Sequence, residues 1–549
     1  MATDTAADST DSDPEWGRVL MCGSIDWNNI NRKANQKKPG EEGVERPQLL
    51  SPHIMRDVID LKVTAVVTGP TSCHSVLLTL DGDAYVFGRN EKGQLGLGDI
   101  ETRNSPVKIT SCGDSGKALG KSKIVRAAVG RNHTILVSES GAVFSCGDNR
   151  LGQLGLNNLV EHHTKVERVS ALAKENIKEV ACGADFTIVA NDKGQLFAFG
   201  SQEYGQLGNG SDGQYIKSAG QLVTAPQQYP LPVKGLSGKH IVSVACGANH
   251  TIALDKDGCV YSWGFGGYGR LGHGEQKDMH VPHLVAQFAS SNELTHASTI
   301  ACGSTCSMAL DRQRQFWLWG KWKNTGDGSS GQPWMIPKYF YDLNGWRFRA
   351  ISGGNASLFC VAEKEQITIA WGQVQNAELG FGEDSPYKSA TKPQKVEPLE
   401  GVEILSVSCG MGHTLFLAKP GNDKLADLPK FPEIEDKGDA CVKCGKEDDD
   451  DKILLCDKCD APQHMYCANP KLENVPEDDW FCDSCHPPVT SQQALSEEVE
   501  EGPSETNNST SAEDAATVEE LSKPKKRGRP PKPVAGANLA GAPAKKKKK

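Results

Sequence analysis

No run of about 18 consecutive apolar residues occurs in this 549-residue chain, which excludes a membrane-spanning helix of ordinary length. The first fifteen residues carry five acids and no base, so the basic start and apolar stretch of a secretory leader are missing as well. A soluble intracellular protein is the expectation. Basic residues are absent from 486–522, acidic residues from 523–549, and cysteine from everything after Cys485. The charge is therefore segregated. Of the formal net −10, residues 1–15 hold −5, 419–440 −2, 441–485 −7 and 486–522 −9, whereas 523–549 hold +11. The large remainder, 16–418, is nearly neutral, and a tail of eleven bases with no acid is a polyanion-binding element.

What is present begins with repetition. Seven short phrases centre on His74, His133, Phe186, His250, Cys306, Ser357 and His413, at steps of 51 to 64 residues. Each is followed by an apolar strand, a turn usually containing glycine, and a second strand ending in an aromatic residue or cysteine and then glycine, as in residues 134–147. A third element, Gly-Gln-Leu-Gly at Gly93, Gly152 and Gly205 and Gly-Arg-Leu-Gly at Gly269, completes the unit; the fifth copy has lost it and the sixth keeps only Glu378-Leu379-Gly380. A period in this range with alternating short strands predicts an all-β, seven-bladed propeller over 16–418. Cys182, Cys246, Cys302 and Cys409 each precede a glycine at one register and read as reduced packing residues. The repeated histidines read as structural hydrogen-bonders within blades, because Phe186, Cys306 and Ser357 share their register. The segment Gly116–Ser122 has the look of a phosphate loop but one residue too few between its glycines, and it sits between blades instead of opening a helix.

These phrases resemble the regulator-of-chromosome-condensation repeat family over about 16–418. The wording of 264–273, 275–278 and 345–349 resembles its mitotic telophase-disc branch more than its founding exchange factor. The resemblance implies a ring closed by an N-terminal strand, here near Arg18–Gly23, and it offers nucleotide exchange on a small GTPase as an activity. The insertion 215–239 is a candidate partner-binding loop.

From Cys441 the spacing is Cys-x2-Cys-x11-Cys-x2-Cys-x4-His-x2-Cys-x14-Cys-x2-Cys, eight thiol or imidazole ligands in four pairs, enough for two tetrahedral zinc sites. The order, with histidine fifth and Trp480 two residues before the seventh ligand, resembles a plant homeodomain (PHD) finger over 441–485. A ubiquitin-ligase variant finger shares the order but spaces its second pair and its histidine differently. The PHD resemblance implies interleaved ligation: Cys441, Cys444, His464 and Cys467 on one zinc, Cys456, Cys459, Cys482 and Cys485 on the other. It also implies a ligand, the histone H3 N-terminal tail added as an extra strand. The candidate docking strand runs through Leu454 and Leu455. Asp457 and Asp460 would hold the arginine at the tail's second position, Asp449, Asp450 and Asp451 the lysine at its fourth, and carbonyls near Pro476 its free N-terminus. A methylated ammonium needs an aromatic cage, but residues 460–463 between Cys459 and His464 include no Trp and no aromatic stands just before Cys441, so an unmodified lysine is expected.

Residues 419–440 and 486–522 read as linkers, the second acidic and disordered by composition, as is 1–15. In 523–549, Lys526-Arg527-Gly528-Arg529-Pro530 looks like an AT-hook, in which glycine lets the backbone reach the minor-groove floor of A·T-rich DNA and the arginines extend along it. The whole reads as a nuclear, chromatin-associated adaptor and not as an enzyme, with a chromatin-tethered guanine nucleotide exchange factor as the alternative. Deleting 523–549 should weaken duplex binding and flatten its salt dependence, since every phosphate no longer neutralised takes about 0.9 from the slope. Replacing only Arg527 and Arg529 by Ala should chiefly abolish the A·T preference. Titrations of duplex DNA from low to moderate salt check both, and equal binding by the truncated chain at every salt concentration contradicts them.

Overall fold

Each repeated phrase marks the point where a fully covered strand begins. In the computed structural model the described residues are 15–30, 47–110, 122–322, 333–372, 374–385, 389–435, 437–476 and 479–486. They lie within one compact unit, residues 1–488; the second unit, 489–549, lies outside the described residues together with the AT-hook-like segment Lys526–Pro530 and nearly all of the phosphate-loop lookalike. Six antiparallel four-stranded sheets follow one another along the chain, the first built from Val63–Val67, His74–Thr79, Ala84–Gly88 and Arg103–Lys108. The seventh combines Ile404–Cys409 and His413–Ala418 with Arg18–Ser24 and Gln48–Met55. The N-terminal strand thus closes the ring as expected, pairing antiparallel with His413–Ala418 from Arg18↔Ala418 to Gly23↔His413.

The second strand of every blade starts on the repeated residue, and all six of its residues are buried. Both faces are covered by neighbouring blades, which is why these strands read as continuous apolar or small-residue runs. The glycine at or next to the end of the third strand is needed for close approach: at Gly147 (φ +105°), in the strand Val143–Asp148, a Cβ would lie 2.3 Å from the Asn132 carbonyl oxygen. Trp263, Trp319 and Trp371, one residue before that glycine in their blades, are fully buried between sheets.

The repeated histidines hold adjacent blades together, not single blades as the sequence suggested. His74 Nε2 lies 2.8 Å from Thr134 Oγ1, His133 Nε2 3.1 Å from Thr187 Oγ1, His250 Nε2 2.9 Å from Ser307 Oγ, and His413 Nε2 2.8 Å from Ser75 Oγ. The hydroxyls of Thr134, Thr187 and Ser307 give their own proton to the carbonyls of Gln94, Gln153 and Arg270. Each hydroxyl has one proton, so the imidazole facing it must donate from Nε2. The other ring nitrogen of His133, His250 and His413 is buried with no partner, a place for a lone pair and not for a second proton. At the three junctions of Thr134, Thr187 and Ser307 a chain of imidazole, hydroxyl and carbonyl joins a blade to the loop of the one before it. The four cysteines at the shared register are buried, and burial raises their thiol pKa values.

Residues 215–239 contain a two-stranded hairpin, Gln214–Ile216 with Leu222–Thr224, whose Tyr215, Ile216 and Leu222 are exposed. Residues 419–440, expected to be only a linker, are anchored over much of their length. Asn422 caps a helical turn at Asp423–Ala426, Leu425 and Leu428 enter the core of the seventh blade, and Lys430–Phe431 adds a parallel strand beside Ile54–Met55.

Burial drives the pKa of His74 to about 3, His133 to about 4 and His413 to about 3, and pushes His250 well below its ordinary value. The unfolded chain binds protons below about pH 6.5 that the folded chain refuses, so stability is complete above that pH and is lost as pH falls toward 4 and 3. Buried Glu378, raised by desolvation to about 7, works in the opposite direction between its unfolded value and 7, and Glu179 and Asp185, also raised by desolvation, act the same way, whereas burial lowers His273 along with the other four imidazoles, five groups against three. Unfolding free energy should therefore drop between pH 7.5 and 5.5 by roughly 1 kcal/mol per imidazole. His133→Phe, which installs the residue that the third blade uses, should show a shallower drop in urea unfolding. An unchanged pH dependence in that variant contradicts the assignment.

Candidate functional site

Two clusters of metal-ligand type stand out among the described residues, Cys441/Cys444/His464/Cys467 and Cys456/Cys459/Cys482/Cys485. Within each, the four ligand atoms lie within 4.8 Å of one another. The interleaved pairing that the PHD resemblance implies is the observed one. A tetrahedral zinc with Zn–S bonds of about 2.3 Å needs sulfurs roughly 3.8 Å apart, and Cys459 Sγ and Cys482 Sγ are 3.6 Å apart. His464 turns Nδ1 toward Cys444 Sγ at 3.4 Å and hydrogen-bonds through Nε2 to the Asp448 carbonyl oxygen at 2.5 Å, which fixes the ring and leaves Nδ1 as the ligand. The backbone amides of His464 and Cys482 point at Cys441 Sγ and Cys456 Sγ, at 3.4 and 3.3 Å, as suits thiolates. The residues fit two zinc ions. Trp480 and Phe481 pack against the second cluster, so Trp480 supports the metal framework.

The metal framework carries a short sheet, Ile453–Leu455 paired antiparallel with Pro462–His464. Leu455 is exposed, Ile453 and Leu454 are half-buried, and among the described residues no strand pairs with the other edge of Ile453–Leu455. Asp449 and Asp451 sit just upstream, the side chain of Asp450 lies outside the described residues, and Pro476 is half-buried beyond the second strand. Tyr466, not singled out from the sequence, donates its hydroxyl to Asp449 Oδ2 at 3.3 Å while one face of its ring stacks on His464 (4.6 Å, 12°).

Asp457 and Asp460 lie at the opposite end of the strand, where the finger meets the seventh blade. Arg56, almost buried, places Nη2 2.6 Å from Asp460 Oδ2 and Nη1 3.5 Å from the Lys458 carbonyl oxygen. Lys430 Nζ stands 3.5 Å from Asp457 Oδ1 and 3.8 Å from Asp460 Oδ1. The second oxygen of Asp457 accepts the Trp480 amide at 2.8 Å. Lys458 reaches both oxygens of Asp60 at 2.9 and 2.8 Å, and Arg18 pairs with Asp479. Phe481 packs on the core of the seventh blade as well as on the zinc cluster. Burial opposes ionisation of Asp460, but the hydrogen bond and charge of Arg56, with Lys430 and Lys437, outweigh it and hold that carboxyl below the usual range. Arg18, Arg56, Asp60 and Lys430 recur at no register, so the sequence carried no signal for this junction.

Metal analysis of the full chain should find two zinc ions. Cys456→Ser should lower that number and collapse the finger while leaving the propeller's unfolding transition in place, because a domain this small depends on its metal for folding energy. Two tightly held zinc ions in that variant contradict the ligand assignment.

Residues 18–416 match the RCC1-like domain family and residues 441–485 the PHD-finger family. Protein RCC2 homolog of Danio rerio is 38% identical over 434 residues, covering 76% of this chain and 83% of that protein. Protein RCC2 of Homo sapiens is 37% identical, covering 76% and 79%. Among solved structures, Prp20p of Saccharomyces cerevisiae shares the fold at 20% identity with a TM-score of 0.58, over 75% of this chain and 94% of that one. The telophase-disc wording and the ligand spacing thus agree with independent comparison, and the chain belongs to the RCC1-like propeller family with a PHD finger added after its last blade.

Proposed function

We propose that this protein is a non-enzymatic nuclear adaptor on chromatin: the finger takes the unmodified H3 N-terminal tail as an extra strand, the basic tail grips A·T-rich DNA, and the propeller offers a surface to a further protein. The observation that carries this reading is the open edge of Ile453–Leu455, flanked upstream by Asp449 and Asp451 and downstream by Asp457 and Asp460. An extended basic peptide added there gains main-chain hydrogen bonds along the strand and carboxylates at both ends. Tyr466 is a lone ring beside Asp449 with one face stacked on His464, and a single ring does not make the cage that a quaternary ammonium needs. Weak tail and DNA contacts on one nucleosome reinforce each other through effective concentration.

A second reading, exchange activity on a small GTPase, is favoured by the hairpin with exposed Tyr215, Ile216 and Leu222. Prp20p has binding properties toward Gsp1p and histones, two different partners for one propeller. Release of labelled nucleotide from a panel of small GTPases separates exchange factor from adaptor.

Calorimetric titration of the full chain with H3 tail peptides tests the tail reading. Trimethylation of the lysine at the fourth position removes the donors of a charge-assisted hydrogen bond worth about 1.5 to 3 kcal/mol, so the unmodified peptide should bind about tenfold or more tightly. Asp449→Asn with Asp451→Asn should narrow that ratio. Tighter binding of the trimethylated peptide contradicts the assignment.

A further inference from the structure

The two acids proposed to take the tail's arginine already have cationic partners in this chain. We infer that Arg56 and Lys430 form an intramolecular latch over the arginine subsite, so that the histone tail engages the finger by displacing the propeller's own cations; this rests on the tail reading above.

The carboxylates at the subsite are already answered by cations. Asp457 and Asp460 face Arg56 and Lys430, with Lys430 shared between both acids and Lys437 adding its charge near Asp460. A further cation brought to the same two carboxylates meets like charge at short range, so the peptide's guanidinium cannot simply be added. It must replace one already there.

The latch is built to be displaced. Arg56 makes a single-pronged contact with Asp460, and its Nε is buried without a hydrogen-bond partner. Its fork is therefore not used in the bidentate manner that makes Arg–carboxylate pairs strong. Lys430 stands at 3.5 and 3.8 Å from the carboxylate oxygens of its acids and gives its hydrogen bond to the Asp457 backbone carbonyl at 3.2 Å, a contact that a guanidinium on the carboxylates leaves available. A peptide arginine free to adopt the two-bond geometry has the better interaction available.

Release of the latch need not release the finger. Lys458 on Asp60, Arg18 on Asp479, the packing of Phe481 and the strand at Lys430–Phe431 tie finger to blade without using either subsite acid's contact with Arg56. Arg56 stands immediately after the strand Gln48–Met55, so the guanidinium can swing while its backbone stays paired. The apparent affinity for the tail is then the intrinsic affinity reduced by the fraction of molecules whose acids are free.

The test is calorimetry on the full chain and on Arg56→Met, which keeps the aliphatic stem without the charge, using the unmodified H3 tail peptide and the same peptide with its second-position arginine replaced by alanine. Arg56→Met should bind the arginine peptide about tenfold more tightly than the parent, as a latch closed nine-tenths of the time requires. That gain should vanish with the alanine peptide. Lys430→Gln, at a less buried position, should shift affinity in the same direction and covers the case in which Arg56→Met does not fold. Equal binding of the arginine peptide by parent and both variants overturns the latch while leaving tail recognition intact. No binding by any of them overturns tail recognition and the latch together.

Discussion

The pairing of Arg18–Ser24 between His413–Ala418 and Gln48–Met55 is the interaction on which the rest of the structure depends. It joins segments about 400 residues apart, and without it the seventh blade has two strands and the ring is open. Loop-closure entropy grows only slowly with length, so one well-formed sheet can hold so distant a pair. The same closure assembles the docking face for the finger. Arg18 lies on the closing strand, Arg56 and Asp60 follow the next one, and Lys430 belongs to the strand added beside it. A break at closure would remove both the propeller's last blade and the finger's support.

Two kinds of polar organisation follow from this frame. Inside the ring, neutral imidazoles at three blade junctions donate to hydroxyls that are themselves committed to backbone carbonyls, so those junctions are satisfied only when the neighbouring blades are in register. In the finger, metal ligation fixes a domain with almost no apolar core of its own; its cluster of fully buried residues is Cys456, Ala461 and Cys482. The finger compensates by sharing Phe481 with the seventh blade and by placing its charges against those of the propeller. Asp457 and Asp460, the carboxylates proposed for the tail's arginine, are consequently docking contacts as well.

Repetition and ligand spacing were legible in the sequence because both are patterns that one residue cannot make by accident. The seven repeat centres head the seven inner strands, and the eight zinc ligands fall into the interleaved clusters that the PHD resemblance implied. The direction of the histidine bonds was not legible, since position within a repeat says nothing about which neighbour a side chain faces. Nor was the docked state of residues 419–440: Leu425 and Leu428 are two isolated apolar residues in a polar stretch, too few to mark an amphipathic element. Asp457 and Asp460 were read as peptide ligands from the finger alone, and their engagement by Arg56 and Lys430 depends on a fold that brings residues 56, 430 and 460 together.

Hydrogen exchange of the full chain with and without saturating unmodified H3 tail peptide tests the central claim most directly, because amide protection reports strand addition and docking in one experiment. If the tail adds to the finger by displacing the blade's cations while the finger stays docked, the amides of 453–455 become protected, and those of 54–60 and of the propeller strands stay unchanged. Unaltered exchange at 453–455 under saturating peptide contradicts it.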